Sequence, residues 1–271
     1  MRRALFIWPL LLPLWAAALW ADARVTVLVD VLKLREAAEI LRVEGVESAD
    51  ALNADMLDGQ GGASWDIQVA AIYDAERMVE TVRAALEEAL PPPLLEQVIT
   101  FYATDPGAQI ITLENSARDT IRNPDVEQAA RARFADLEGS DDPRLGQIST
   151  LIADGDMIGR NVTNAMNANV QFLRGLVDGE GAEMSEEEIL AAVSADLDEM
   201  TQDTREWLFG YMLLGYSPLD EADLATYIAF SESEAGQALN RGLFEGFGRA
   251  YEDISYALGR AVALNMMAEE L

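Results

Sequence analysis

The reading of the fold turns on ITFYATDPGAQI, Ile99 to Ile110, because 129 residues later the chain reads IAFSESEAGQAL, Ile228 to Leu239. Laying 90–110 over 219–239 pairs Leu90 with Leu219, Leu95 with Leu224, Ile99 with Ile228, Phe101 with Phe230, Gly107 with Gly236 and Ile110 with Leu239. Leu95 and Ile99, like Leu224 and Ile228, are four apart and share one helix face, whereas the Phe two positions on points elsewhere. Thr104 and Ser233 then fall where an N-cap is needed, their hydroxyls placed to accept from an unpaired N–H in the next first turn. Asp105 and Glu234 put negative charge at the positive end of the helix dipole. Gly107 and Gly236 lie three residues past the cap, where a side chain would collide with the preceding helix or its Phe as the chain reverses. Each stretch therefore predicts a helix-turn-helix packing corner. An anion site at the helix start is the alternative, and the adjacent carboxylates oppose it.

A second correspondence, LDGQGG at Leu57 and VDGEGA at Val177, is displaced by 120 residues. Two related helical units are expected, 24–138 and 143–271, joined through the acidic turn EGSDDP, either separate or merged in one domain. Helical periodicity and caps recur throughout, while alternating strand-like runs are nearly missing. RVTVLVDVL at Arg24 is ambiguous; we read it as a helix continuing through KLREAAEILRVEG and stopped by Gly45, with a strand as the alternative. Asn123–Pro124, Asp142–Pro143 and Ser217–Pro218 each set a capping residue before a proline, and Ser185 with Glu188 spells a capping box. Near the C-terminus Phe244, Phe247, Tyr251, Ile254, Leu258 and Ala261 form one helical stripe. Gly242, Gly246 and Gly248 beside it allow a close helix crossing. The expected fold is an all-α helical bundle built from two tandem related units.

The 271 residues are 50% hydrophobic, enough to bury a sizeable core. With 48 acidic against 19 basic residues and a net charge of -29, nucleic acid and anionic surfaces would repel the chain. The acidity reads as a solvated surface, or as a face for a cationic partner. Arg2 and Arg3, an apolar run from Ala4 to Ala21 and the sequence Ala21-Asp22-Ala23 predict a signal peptide, 1–23, cleaved after Ala23. Retention as an anchor is the alternative, since the run approaches the roughly 20 residues that span a bilayer. No later segment has that length and apolarity, so the mature form is expected to carry no stable membrane span and to be periplasmic or secreted. The chain contains no Cys and no His, which removes cysteine nucleophiles, Ser-His-Asp triads, the usual zinc sites and imidazole or thiolate haem ligation.

The exported N-terminus, helical pattern and ITFYATDPGAQI together resemble a family of secreted or periplasmic bacterial helical proteins, a domain of unknown function marked by F-Y-x-[ST]-x-x-G. Phe101, Tyr102, Thr104 and Gly107 match; the second copy keeps Phe230, Ser233 and Gly236 but carries Ser231 in place of the Tyr. The resemblance covers about thirty residues per copy. It implies a helical bundle outside the cytoplasm and brings no catalytic residue.

Carboxylate pairs such as Asp154 with Asp156, Glu186 to Glu188, and Asp141 with Asp142 are candidates for acid/base work. DGEGAE at Asp178 and EGSDD near Asp142 lack the spacing of a calcium loop and read as turns. The sequon at Asn161 falls in a predicted helix, and NVTNAMNANVQF is read as facing a helix interface. Trp207, Phe209, Tyr211, Met212, Met266 and Met267 could line an apolar groove, with core packing as the plainer reading. We expect no catalytic, cofactor or metal residue. The sequence reading is of an exported non-catalytic protein binding an envelope partner or an apolar ligand between helices. A carboxylate-based hydrolase or lyase using hydroxyls such as Tyr102 or Tyr251 is the alternative.

Overall fold

Capping chemistry sets many of the boundaries in the computed structural model, which describes residues 23–269. The helices are α1 (23–31), α2 (Leu34–Met56), α3 (Gly62–Ile72), α4 (Ala75–Ala89), α5 (Pro92–Tyr102), α6 (Gly107–Ile121) and α7 (Pro124–Leu137). They continue as α8 (Pro143–Asp154), α9 (Met157–Asp178), α10 (Glu186–Ser194), α11 (Leu197–Gly215), α12 (Glu221–Glu232) and α13 (Glu234–Glu269). Among the described residues every regular element is a helix, and none is long and apolar enough to cross a membrane. The Asn123 and Asp142 side chains accept from Asp125 N and Leu145 N, with Pro124 and Pro143 as the first helical residues. Ser185 and Glu188 close both halves of a capping box. Except for Ala23, the expected leader lies outside the described residues.

Two expectations are corrected. Ser217–Pro218 starts no helix: it lies in the turn after α11, where the Ser217 hydroxyl donates to Leu214 O, and α12 begins at Glu221. Gly45 does not stop a helix. The helix ending near Lys33 breaks there instead, and Gly45 sits inside α2, where a Cβ would come within 2.0 Å of the Tyr73 ring. That glycine is selected by the ring packed on it from across the bundle, so its cause lies outside its local sequence.

One continuous apolar core draws residues from both halves, from Leu28 and Val82 to Leu224 and Val262. The long α13 runs along α9 on one side and α4 on the other, and α11 packs on α6, α7 and α9. Ile254, Leu258 and Ala261 of the expected stripe are buried, while Phe244, Phe247 and Tyr251 are half-buried. At the α4 crossing, a Cβ on Gly246 would lie 2.7 Å from Val82 Cα, so the two backbones approach as closely as glycine allows. Asn164 of α9 donates to Phe244 O across the α9–α13 seam, which places part of the polar NVTNAMNANVQF run at a helix interface. Lys33 and Asp156, which precede α2 and α9, adopt nearly the same left-handed backbone conformation, φ 48° and ψ 39° against φ 48° and ψ 40°.

Candidate functional site

The two corners meet in space. The rings of Phe101 and Phe230 stack with centroids 3.9 Å apart and planes within 4°, and Tyr102 presents its edge to Phe230 at 5.7 Å. In each corner the glycine is the closest point. A Cβ on Gly107 would fall 2.3 Å from Phe101 O, and one on Gly236 would fall 2.2 Å from Phe230 O. Those obstacles are backbone atoms, which cannot swing aside.

The caps differ. Ser233 Oγ accepts from Gly236 N at 3.1 Å and donates to Phe230 O, so it closes α12 and opens α13 at once. Thr104 does not cap: its hydroxyl donates backward to Thr100 O, and α6 starts after Pro106 instead. A proline has no N–H to offer a cap, and its ring occupies the space ahead of the helix.

Beside this joint lies a carboxyl that no sequence motif singled out. Glu114, on α6, accepts at Oε1 from Tyr216 Oη at 2.6 Å and from Tyr227 Oη at 3.1 Å. Tyr102 is hydrogen-bonded to Tyr227, and Tyr211 Oη donates to the backbone carbonyl of Glu114 at 3.0 Å. Glu114 is half-buried as a whole residue, and its Oε1 is held by the two phenols. Burial pushes that carboxyl above its ordinary range, against the opposing pull of the Tyr216 and Tyr227 hydrogen bonds. Burial, then the Glu114 charge, pushes the phenols of Tyr102, Tyr211, Tyr216 and Tyr227 well up. The four tyrosines are therefore neutral donors at any physiological pH.

The neighbouring cation is already engaged. One turn along α6, Arg118 makes a two-pronged pair with Glu44 of α2, at 2.7 and 2.6 Å, and lies 4.8 Å from the centre of the Trp207 ring. Burial opposes the Arg118 charge, but the hydrogen bonds and charge of Glu44 outweigh it and hold the guanidinium above its ordinary value. Trp207 in turn stacks on Tyr211. Tyr251 lies in the same field, its phenol pushed up to about 12 chiefly by burial.

The spaces between helices are small. A cavity of about 50 Å³ touches Tyr102, Tyr227, Ser231 and Gly236, and another of about 30 Å³ lies between α4 and α13. The larger openings are at the surface. One cleft of about 510 Å³ runs between the α7–α8 turn and α11, with Phe134 and Phe209 in its wall and Glu138, Asp141 and Asp142 at its edge. Arg205 crosses it, 4.8 Å from the Phe134 ring and 5.2 Å from the Phe209 ring, and pairs with Glu138 at 2.7 Å.

No family model, curated protein or solved structure matches the chain.

Of the expected residues, Phe101, Phe230, Gly107 and Gly236 converge on one joint, while Thr104 is exposed at its margin. Tyr102 belongs to the Glu114 cluster. Tyr251 stands apart beside Arg118. Phe209 and Met212 are buried in the core and Met267 is exposed, so these residues do not gather into one apolar groove. Among the described residues no group of three or more acidic side chains is placed to hold a metal ion. Glu114 did leave a sequence signal: Ile110, Glu114, Ala117 and Ile121 fall at spacings of four, three and four, which sets a carboxylate in an otherwise apolar stripe.

Proposed function

We propose that this is an exported, non-catalytic helical protein that binds a protein partner of the cell envelope through the cleft between α7, α8 and α11. The carrying observation is that this cleft, of about 510 Å³, combines two phenyl rings with an acidic edge. A guanidinium already rests on those rings, paired with Glu138. A basic segment would find its counter-charge at that acidic edge, with Phe134 and Phe209 buried beneath Arg205. The cavities of about 50 and 30 Å³ between helices suit a water molecule or two, which favours a protein partner over an apolar ligand.

Export rests on the residues preceding Arg24 and on the resemblance carried by Phe101, Tyr102, Thr104 and Gly107. Val25, Leu28 and Val29, just after the expected cleavage point, are buried, so a mature chain that begins at Arg24 keeps these core contacts. The two-unit reading belongs here too. α1 to α5 and α8 to α12 follow the same order, the left-handed Lys33 and Asp156 fall at the same joint, and α13 takes the place of α6 and α7 together. Equivalent residues touching each other, as Phe101 and Phe230 do, is what a two-fold relation between units produces.

A photoreactive residue at Ser140, in the cleft, should capture one envelope protein that a probe at Ala191 on α10 does not. Glu138→Lys with Asp141→Lys should abolish that capture, Asp142 being left in place because it caps α8. Equal capture from both positions, or capture unaffected by the charge reversal, would overturn the assignment. The raised carboxyl of Glu114 favours a second reading, acid/base chemistry at the tyrosine cluster. It requires that Glu114→Gln abolish turnover of a substrate while leaving partner capture intact.

A further inference from the structure

Aromatic side chains lead from the surface to Glu114 through stacking, edge contacts and hydrogen bonds. Trp207 lines a surface opening of about 370 Å³, where Glu44 of α2, Arg118 of α6 and Glu127 of α7 also meet. Its ring stacks on Tyr211, 5.1 Å between centroids and 10° from parallel. Tyr211 donates to the Glu114 carbonyl, and Tyr216, at the end of α11, donates to the Glu114 carboxyl at 2.6 Å. Tyr216 meets Tyr227 edge-on with centroids 6.0 Å apart; Tyr227 donates to the same carboxyl oxygen and is hydrogen-bonded to Tyr102.

These groups differ in what the loss of an electron demands. An indole can give one up and hold the positive charge, whereas a phenol gives one up readily only if its proton leaves too, so it needs a base within hydrogen-bond reach. Geometry supplies that base. Two phenols donate to Glu114 Oε1, as they would to a carboxylate, and the other oxygen is not left buried without a partner. Charge points the same way. Arg118, 4.8 Å from the centre of the Trp207 ring, disfavours a positive charge on the indole, though its pairing with Glu44 offsets part of this. An anion bonded to Tyr216 favours positive charge there. The chain has no Cys to intercept an oxidant, and Trp65, the other Trp among the described residues, is buried. An oxidant in solution therefore reaches this line at Trp207.

We propose that the line carries an oxidising equivalent inward: an outer-sphere one-electron oxidant takes an electron at Trp207, the hole passes through Tyr211 to Tyr216, and the Tyr216 hydroxyl proton moves to Glu114 Oε1. The oxidant gains the electron and keeps its own bonds. The Tyr216 O–H bond breaks and an O–H bond forms on the carboxyl, which leaves a neutral phenoxyl beside a neutral acid. One electron from a reductant of the quinol class and the returning proton restore both groups. A cationic metal complex is the class of oxidant that a net charge of -29 draws to the surface.

Flash photolysis of the purified protein with photogenerated ruthenium(III) tris-bipyridine tests this, in a Tyr256→Phe background that removes the phenol bonded to Asp178 outside the line. A phenoxyl radical should appear in the absorption and electron paramagnetic resonance spectra. Trp207→Phe, whose ring resists oxidation, should lose it. Glu114→Gln, which cannot take up the proton, should lose it while an indolyl radical remains. A phenoxyl formed at the unsubstituted rate in either variant would overturn the proposal. Should Glu114→Gln fail to fold, the rate in heavy water decides: slower phenoxyl formation than in ordinary water supports proton transfer to the carboxyl, and an equal rate contradicts it.

Discussion

The Phe101 and Phe230 rings stack, 3.9 Å between centroids and 4° from parallel. Stacked rings of this kind add stability beyond the area they bury. Each ring is carried by a corner whose glycine presses on a phenylalanine carbonyl. Tyr102 turns its edge to both rings, at 84° and 88°.

Gly107→Ala and Gly236→Ala should each destabilise the protein by about 2–3 kcal/mol, since the added carbon meets backbone and not a mobile side chain. Ser233→Ala should cost about 1 kcal/mol through the lost cap, and Thr104→Ala only a few tenths. Equilibrium urea unfolding measures all four. Equal losses at Ser233 and Thr104 would contradict the described asymmetry of the caps.

Removing a hydroxyl from the cluster leaves the carboxyl with one donor fewer. Tyr216→Phe and Tyr227→Phe should each lower stability by about 1–2 kcal/mol near neutral pH. Both hydrogen bonds pull the Glu114 carboxyl down, so either variant should move its titration to higher pH. Urea midpoints read the first effect and the infrared carboxyl band followed across pH reads the second; a shift to lower pH would be the wrong sign.

Arg118→Met should cost about 1–2 kcal/mol, with Glu44 left partly desolvated and Trp207 uncovered. The pair's side chains are 33% and 19% exposed, so the full penalty of a buried pair does not apply. Arg118→Met with Glu44→Leu should recover most of the loss. Unfolding of the two singles and the double variant supplies the comparison.

Processing after Ala23 should leave a mature chain that begins at Arg24 and ends its first turn in buried core. N-terminal sequencing of the protein purified from cells that express the full chain reads this directly. A mature end well inside α1 would remove Val25 and Leu28 and could not be reconciled with the packing.

The corners were legible because their causes are local. A helix face at spacing four, a phenylalanine and a glycine at a fixed distance describe a reversal that short-range sterics nearly determine. What required the fold was what required distant partners. Gly45 reads as a helix stop until Tyr73 is placed against it. Thr104 is the exception, since Pro106, two residues on, is a local signal that α6 starts later. Glu114 finds its hydrogen-bond donors in Tyr216 and Tyr227, 102 and 113 residues away. Its position in the Ile110–Ile121 stripe sets a carboxylate among apolar residues, but no spacing rule names the helices that supply its donors.

The account stands most directly on a double-mutant cycle of Phe101→Leu and Phe230→Leu, read by urea unfolding. Coupled corners predict a single cooperative transition and an interaction of about 1 kcal/mol between the two positions. Additive losses, or two separate transitions for the two halves, would contradict it.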